Sequence, residues 1–192
     1  MNKVLTLFLT SAFCIQSLHS QKIICRQGQI SFFSYTSVEN IEAQNNQVFS
    51  AIDTENSKIE ISMLMNAFMF EKALMYEHFN KNYIESDIYP KATFTGKILD
   101  FEPKVEGTQV KMVQGAFTMH GVTEQLVIKA KIKKSGNDIT LTGSFETLVE
   151  TYNIKIPPLL AGNIAKTIAV DFKLEYQLQN EMEISHTLKT TK

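Results

Sequence analysis

Apolar and polar residues trade places at every second position over most of this chain, the period of a strand with one dry and one wet face. The clearest run is IAKTIAVDFKLEY. Ile164, Ile168, Val170, Phe172, Leu174 and Tyr176 share one face, interrupted only by Lys166, and Thr167, Asp171, Lys173 and Glu175 share the other. In LVIKAKIKK the inward set is Leu126, Ile128, Ala130 and Ile132, against Lys129, Lys131 and Lys133. DITLTGSFE turns Ile139, Leu141, Gly143 and Phe145 inward, and KATFTGKIL does the same with Ala92, Phe94, Gly96 and Ile98. ICRQGQISFFSYTS, QVFSAIDTENS and KIEISMLMNAFMF add strands of weaker alternation. EPKVEGTQ and KSGND read as hairpin loops, and IPPLLAGN as a longer connection, because neither Pro157 nor Pro158 fits inside a strand. Antiparallel strands joined by short turns predict an all-β fold, a closed barrel or a sandwich.

One segment breaks the period. In EKALMYEHFNKNYIESDIYP, Met75, Phe79 and Tyr83 recur every four residues. That spacing predicts a short amphipathic helix over residues 71–80, with Pro90 limiting any extension toward the next strand. Residues 1–20 carry one cation, Lys3, an apolar run from Val4 to Ile15, then small and polar residues up to Ser20. This layout predicts a secretory signal peptide cut between Ser20 and Gln21, too short to anchor in a bilayer. A lipid-modified Cys14 is disfavoured by Phe13, since such signals place a small residue there. Residues 179–192 are polar and aperiodic and read as a loose tail.

Without the leader the chain is sized for one domain with a single core, here residues 21–178. Its formal charge of −1 moves one unit further negative when Lys3 is removed, so nothing in the charge points to nucleic acid. No later stretch is long and apolar enough for a transmembrane helix. Cys25 is the only cysteine of the predicted mature chain, which excludes an intramolecular disulfide and a cysteine zinc site.

The candidate for chemistry is His120, in the Met119-His120-Gly121-Val122 quartet. A catalytic or metal-binding histidine needs companions, and beyond the leader only His78 and the tail residue His186 remain. Gly121 allows a positive φ, so the His-Gly pair suits a hairpin tip between strands ending near Met119 and starting near Val122. His78 and Glu77 are neighbours on the predicted helix and point about 100° apart. No nucleophile elbow, phosphate-cradling glycine loop or paired-cysteine motif is present. No catalytic residues, metal site or enzymatic activity are therefore expected. The interior is more telling, with 13 Phe, 8 Met and no Trp. An eight-stranded barrel is just wide enough either to be filled by its own side chains or to hold one small ligand. Gly96, Gly115 and Gly143 lie within strands and either remove interior volume or bend the strand.

Two blocks carry a resemblance. HFNKNYIESDIYPKATFTGKI (78–98) is similar to the helix-to-strand stretch of the YceI-like, or polyisoprenoid-binding, proteins. VQGAFTMHGVTEQLVIKAKI (113–132) resembles their G-x-L-T-x-H-G-V-T hairpin, with Phe117 in the Leu position. The resemblance continues through KTIAVDFKLEY to the end of the predicted domain. It implies an extended lipocalin-like antiparallel β-barrel of about eight strands, with the helix near one end. It also implies export to the bacterial periplasm or beyond, and an apolar lumen for a long isoprenoid or similar amphiphile. The lack of Trp separates the chain from true lipocalins, whose first strand carries a Gly-x-Trp motif. Two stretches depart from the family pattern: SVENIEAQNNQVFSAID has Asn and Glu where glycine is expected, and TYNIKIPPLLAGN differs before the last strand.

The leading expectation is thus a secreted or periplasmic binder or carrier of an isoprenoid lipid. No cofactor is expected beyond a bound isoprenoid lipid or quinone, the partner is a hydrophobic small molecule, and a homodimer is compatible with the sequence. The expected lining comprises Met63, Met65 and Phe68, then Phe94 and Phe117, then Leu126, Ile128 and Phe145, and finally Ile168, Val170 and Phe172. The alternative is a barrel with a filled interior, acting from its outside as an envelope stress-response or protein-interaction module. An outer-membrane barrel is set aside, because Lys129, Lys131 and Lys133 would sit in hydrocarbon at about 2–4 kcal/mol each near the midplane. The terminal KTTK also lacks the aromatic residue such barrels end on.

Overall fold

The computed structural model describes residues 22–35, 40–156 and 166–178. The expected leader, the expected tail and most of the proline-rich connection lie outside the described residues. Nine strands form one antiparallel sheet: β1 (Lys22–Ser34), β2 (Ile41–Asp53), β3 (Lys58–Leu64), β4 (Met69–Phe70), β5 (Lys91–Ile98), β6 (Gly107–Met119), β7 (Val122–Ser135), β8 (Asp138–Leu148) and β9 (Thr167–Leu178). Their order is β1-β9-β8-β7-β6-β5-β3-β2-β4, and pairing of β1 with β2 closes the ring. The expected barrel of about eight strands is what the chain builds, and two-residue β4 is an added flap on β2. Closure leaves no long edge exposed, which accounts for thirteen-residue strands such as β1 and β6.

Alternation places the faces as the sequence predicts. Ala130 and Ile132 are buried while Lys129, Lys131 and Lys133 point to solvent. The expected hairpin at His120 is a two-residue turn between the paired Met119 and Val122. Both turn residues adopt a left-handed conformation, His120 at φ 51° and Gly121 at φ 76°, the geometry that matches the twist of a hairpin. The strand glycines make room for rings rather than for bends. A Cβ on Gly96 or Gly115 would stand 2.8 Å from atoms of the Phe94 ring, and one on Gly143 would stand 2.6 Å from Phe172. Gly96 and Gly115 face each other across β5 and β6, so Phe94 lies over a paired notch.

Between β3 and β5 the chain leaves the sheet. A tight 3₁₀ turn (Met65–Ala67) leads to β4, which pairs with the part of β2 beyond the reach of β3. Asn45, wholly buried, bridges the break: its Nδ2 donates to the Leu64 carbonyl at 2.8 Å and its Oδ1 accepts from the Gln47 N–H at 2.8 Å. The helix follows as α1 (Ala73–His78), shorter than the expected 71–80, and then widens into a π turn over Phe79–Tyr83. Ile84 N–H donates to the Phe79 carbonyl, five residues back, at 2.9 Å. No side-chain hydrogen bond caps the amino end at Lys72.

Candidate functional site: a chamber in the upper half of the barrel

The barrel interior divides into two halves along its axis. At the end where β1 and β6 begin, Ile23, Cys25, Ile52, Ile98, Ile132, Ile139, Leu174 and Tyr176 are each at most 4 % exposed and pack into a dry floor. The floor's hydroxyls are paired: Tyr176 Oη and Ser50 Oγ lie 2.7 Å apart, and Ser50 Oγ donates to the Glu60 carbonyl at 2.9 Å. Burial pushes both the Cys25 thiol and the Tyr176 phenol up, so both stay neutral and inert.

At the other end, where α1 and the His120 hairpin lie, the same sheet lines a cavity of about 310 Å³ that opens to solvent. That volume is at the lower end of the range of small-molecule pockets. The structure brings all eleven predicted lining residues onto its wall: Met63, Met65, Phe68, Phe94, Phe117, Leu126, Ile128, Phe145, Ile168, Val170 and Phe172. Side chains outside that set complete it. Met75, Phe79 and Tyr83, the periodic residues of the helical segment, all reach the cavity, as do Phe32 and Phe70. Phe32 stacks on Phe79 at 5.6 Å, and Phe79 meets Phe70 at 5.0 Å and Phe68 at 5.7 Å. These rings close one side of the mouth beneath α1.

Phe32 was legible in principle, because Ile30, Phe32 and Ser34 continue one alternating face past the irregularity at Gly28. Tyr152 was not. It sits in a 3₁₀ turn (Val149–Tyr152) that carries no period-two signal, yet it is fully buried against Phe117 at 5.6 Å and lines the cavity.

His120 holds that turn in place. Its Nδ1 donates to the Tyr152 carbonyl at 2.8 Å, and its Nε2 lies 3.1 Å from Glu85 Oε2. Both are donor bonds when the ring is an imidazolium. The ring also packs on Tyr89 at 4.5 Å. His120 therefore does more than turn a corner: it ties the hairpin to the segment before β5 and fixes the backbone that carries Tyr152 into the chamber. His78, by contrast, is exposed at the rim.

Among the described residues no three His, Cys, Asp or Glu side chains converge as metal ligands, and no helix is long and apolar enough to cross a membrane. The arrangement can exclude water from an apolar chain.

Comparison with known proteins agrees with this geometry. The profile of the YceI-like domain matches residues 22–176. The chain is similar to proteins named UPF0312 from Pseudomonas savastanoi pv. phaseolicola and Pseudomonas syringae pv. syringae. Each is 25 % identical over 176 residues, covering 83 % of this chain and 88 % of the relative. Among solved structures it resembles a polyisoprenoid binding domain from Saccharophagus degradans implicated in plant cell wall breakdown. That likeness has a TM-score of 0.71 at 16 % identity, over 82 % of this chain and 98 % of the other. Burkholderia cenocepacia BcnA gives a TM-score of 0.65 at 16 % identity, over 77 % and 95 %. The Campylobacter jejuni YceI protein gives 0.61 at 13 %, over 76 % and 90 %. These structural likenesses speak to the fold.

Proposed function

Because the chain belongs to the YceI-like family, we propose that it is an exported, non-catalytic carrier that holds an isoprenoid or similar amphiphilic lipid in the upper half of its barrel. The observation that carries this reading is the half-open cavity of about 310 Å³, walled by Phe, Met, Ile, Leu and Val from both the strands and the helical segment. An apolar chain placed there leaves water at a gain of about 25 cal/mol per Å² buried. The polyisoprenoid-binding description of one structural neighbour supports the choice of ligand class. The signal-like residues 1–20 support export to the bacterial envelope, and among the described residues Cys25 is the one thiol, buried and free of any disulfide.

Delipidated protein titrated with a C20 isoprenoid alcohol in a calorimeter is expected to show saturable one-to-one binding with a negative heat-capacity change. Failure to saturate with any isoprenoid, by protein that is still folded, would end the carrier reading.

A further inference from the structure

The buried hydroxyls of this barrel divide by end. Those of the floor, Tyr176 and Ser50, satisfy each other and the Glu60 carbonyl. Those of the chamber do not. Ser34, 1 % exposed, and Tyr152, 0 % exposed, both line the cavity, and among the described residues neither hydroxyl makes a hydrogen bond of ordinary geometry, Thr147 being the side chain nearest to giving Tyr152 one. Buried polar atoms left unpaired are rare and costly, so two of them facing one apolar cavity call for a partner inside it.

Register relates Ser34 to a third hydroxyl. Ser34 lies one step beyond the Phe33–Ala169 pair of β1 and β9, level with Ile168, and Ile168 pairs with Thr147 on β8. Ser34 and Thr147 are therefore two strand spacings apart, roughly 10 Å. Both line the cavity, and Tyr152 follows Thr147 through the turn that His120 anchors. Thr147 is near enough to ease the Tyr152 phenol slightly, but burial dominates and holds it protonated as a donor. No Lys, Arg, Asp or Glu lines the cavity among the described residues, and His78 is the sole imidazole there. A phosphate or carboxylate head would meet three hydroxyls and no lysine or arginine, a poor exchange for its hydration.

We propose that Tyr152 and Ser34, with Thr147, form a head-group site for an uncharged oxygen function, an alcohol or a carbonyl, and so select neutral isoprenoids over phosphorylated ones. The assignment rests on the carrier reading above.

The test uses one saturated C20 isoprenoid chain with three heads: phytane, phytanol and phytanyl phosphate. Wild-type protein is expected to bind phytanol about tenfold more tightly than phytane, from one or two net hydrogen bonds, and the phosphate most weakly. Tyr152→Phe and Ser34→Ala should each shrink the alcohol-over-hydrocarbon preference, read as the ratio of phytanol to phytane affinity within each variant, by roughly three- to tenfold. Neither hydroxyl makes a hydrogen bond of ordinary geometry among the described residues, so both variants should fold as the wild type does. Equal binding of phytane and phytanol, tightest binding of the phosphate, or an unaltered preference in both variants would overturn the head-group site and leave the carrier standing. Binding of none of the three would overturn both.

Discussion

Phe145→Asp is expected to leave a folded barrel that has lost its lipid. Phe145 is only half-buried, on the inner face of β8 near the mouth, and its ring meets Phe117 edge-on at 6.3 Å. In the free protein, water reaching the mouth can solvate an aspartate there. With an apolar chain in the cavity that carboxylate must lose its water or take up a proton. Together with the missing ring contacts this costs about 3 kcal/mol, or roughly a hundredfold in affinity. Circular dichroism should show the wild-type β spectrum while calorimetric titration loses saturable binding. A folded variant that binds as the wild type does would remove Phe145 from the site.

The same substitution at Phe94 would not separate binding from folding, because Phe94 is 4 % exposed and lies over the Gly96–Gly115 notch. That notch is the basis of the second large effect. Gly115→Val should destabilise the protein by about 3 kcal/mol or more, lowering Tm by roughly 6–12 °C. A Cβ at residue 115 would stand 2.4 Å from the Thr95 carbonyl oxygen and 2.5 Å from the Gly96 Cα, and backbone atoms paired across β5 and β6 cannot step aside. Gly136→Ala is the control. Nothing lies within 4 Å of a Cβ there, so the change carries only the strain of φ 60°, about 1 kcal/mol. Thermal melts of the pair should differ severalfold in shift; similar small shifts would mean that β5 and β6 can separate to admit a side chain.

What could be read from the sequence follows from what period-two alternation encodes. It assigns a face, and so the lining residues from Met63 to Phe172 all point inward. It does not encode height along the barrel. Ile128 and Ile132 are indistinguishable in LVIKAKIKK, yet Ile128 faces the chamber and Ile132 is sealed in the floor. Height depends on register and on the β1–β2 closure, which are set by pairings between strands distant in sequence. A filled interior and an open one were therefore rival expectations from the sequence, and the molecule contains both, one above the other. The helix was legible as an amphipathic stripe, but its widening at Phe79, where the ring packs on Phe32 and Phe70 from other strands, was not. His120 was legible as a turn residue, whereas its grip on Tyr152 joins positions 32 residues apart. The head-group hydroxyls were the least visible, since a serine, a threonine and a turn tyrosine form no pattern until the sheet brings them together.

Native mass spectrometry of the mature protein, purified from the organism that makes it and followed by solvent extraction, tests the central claim most directly. The account predicts a one-to-one adduct that extracts as an isoprenoid with an uncharged oxygen head. A clean ligand-free mass, unchanged after incubation with isoprenoid alcohols and quinones, would contradict it.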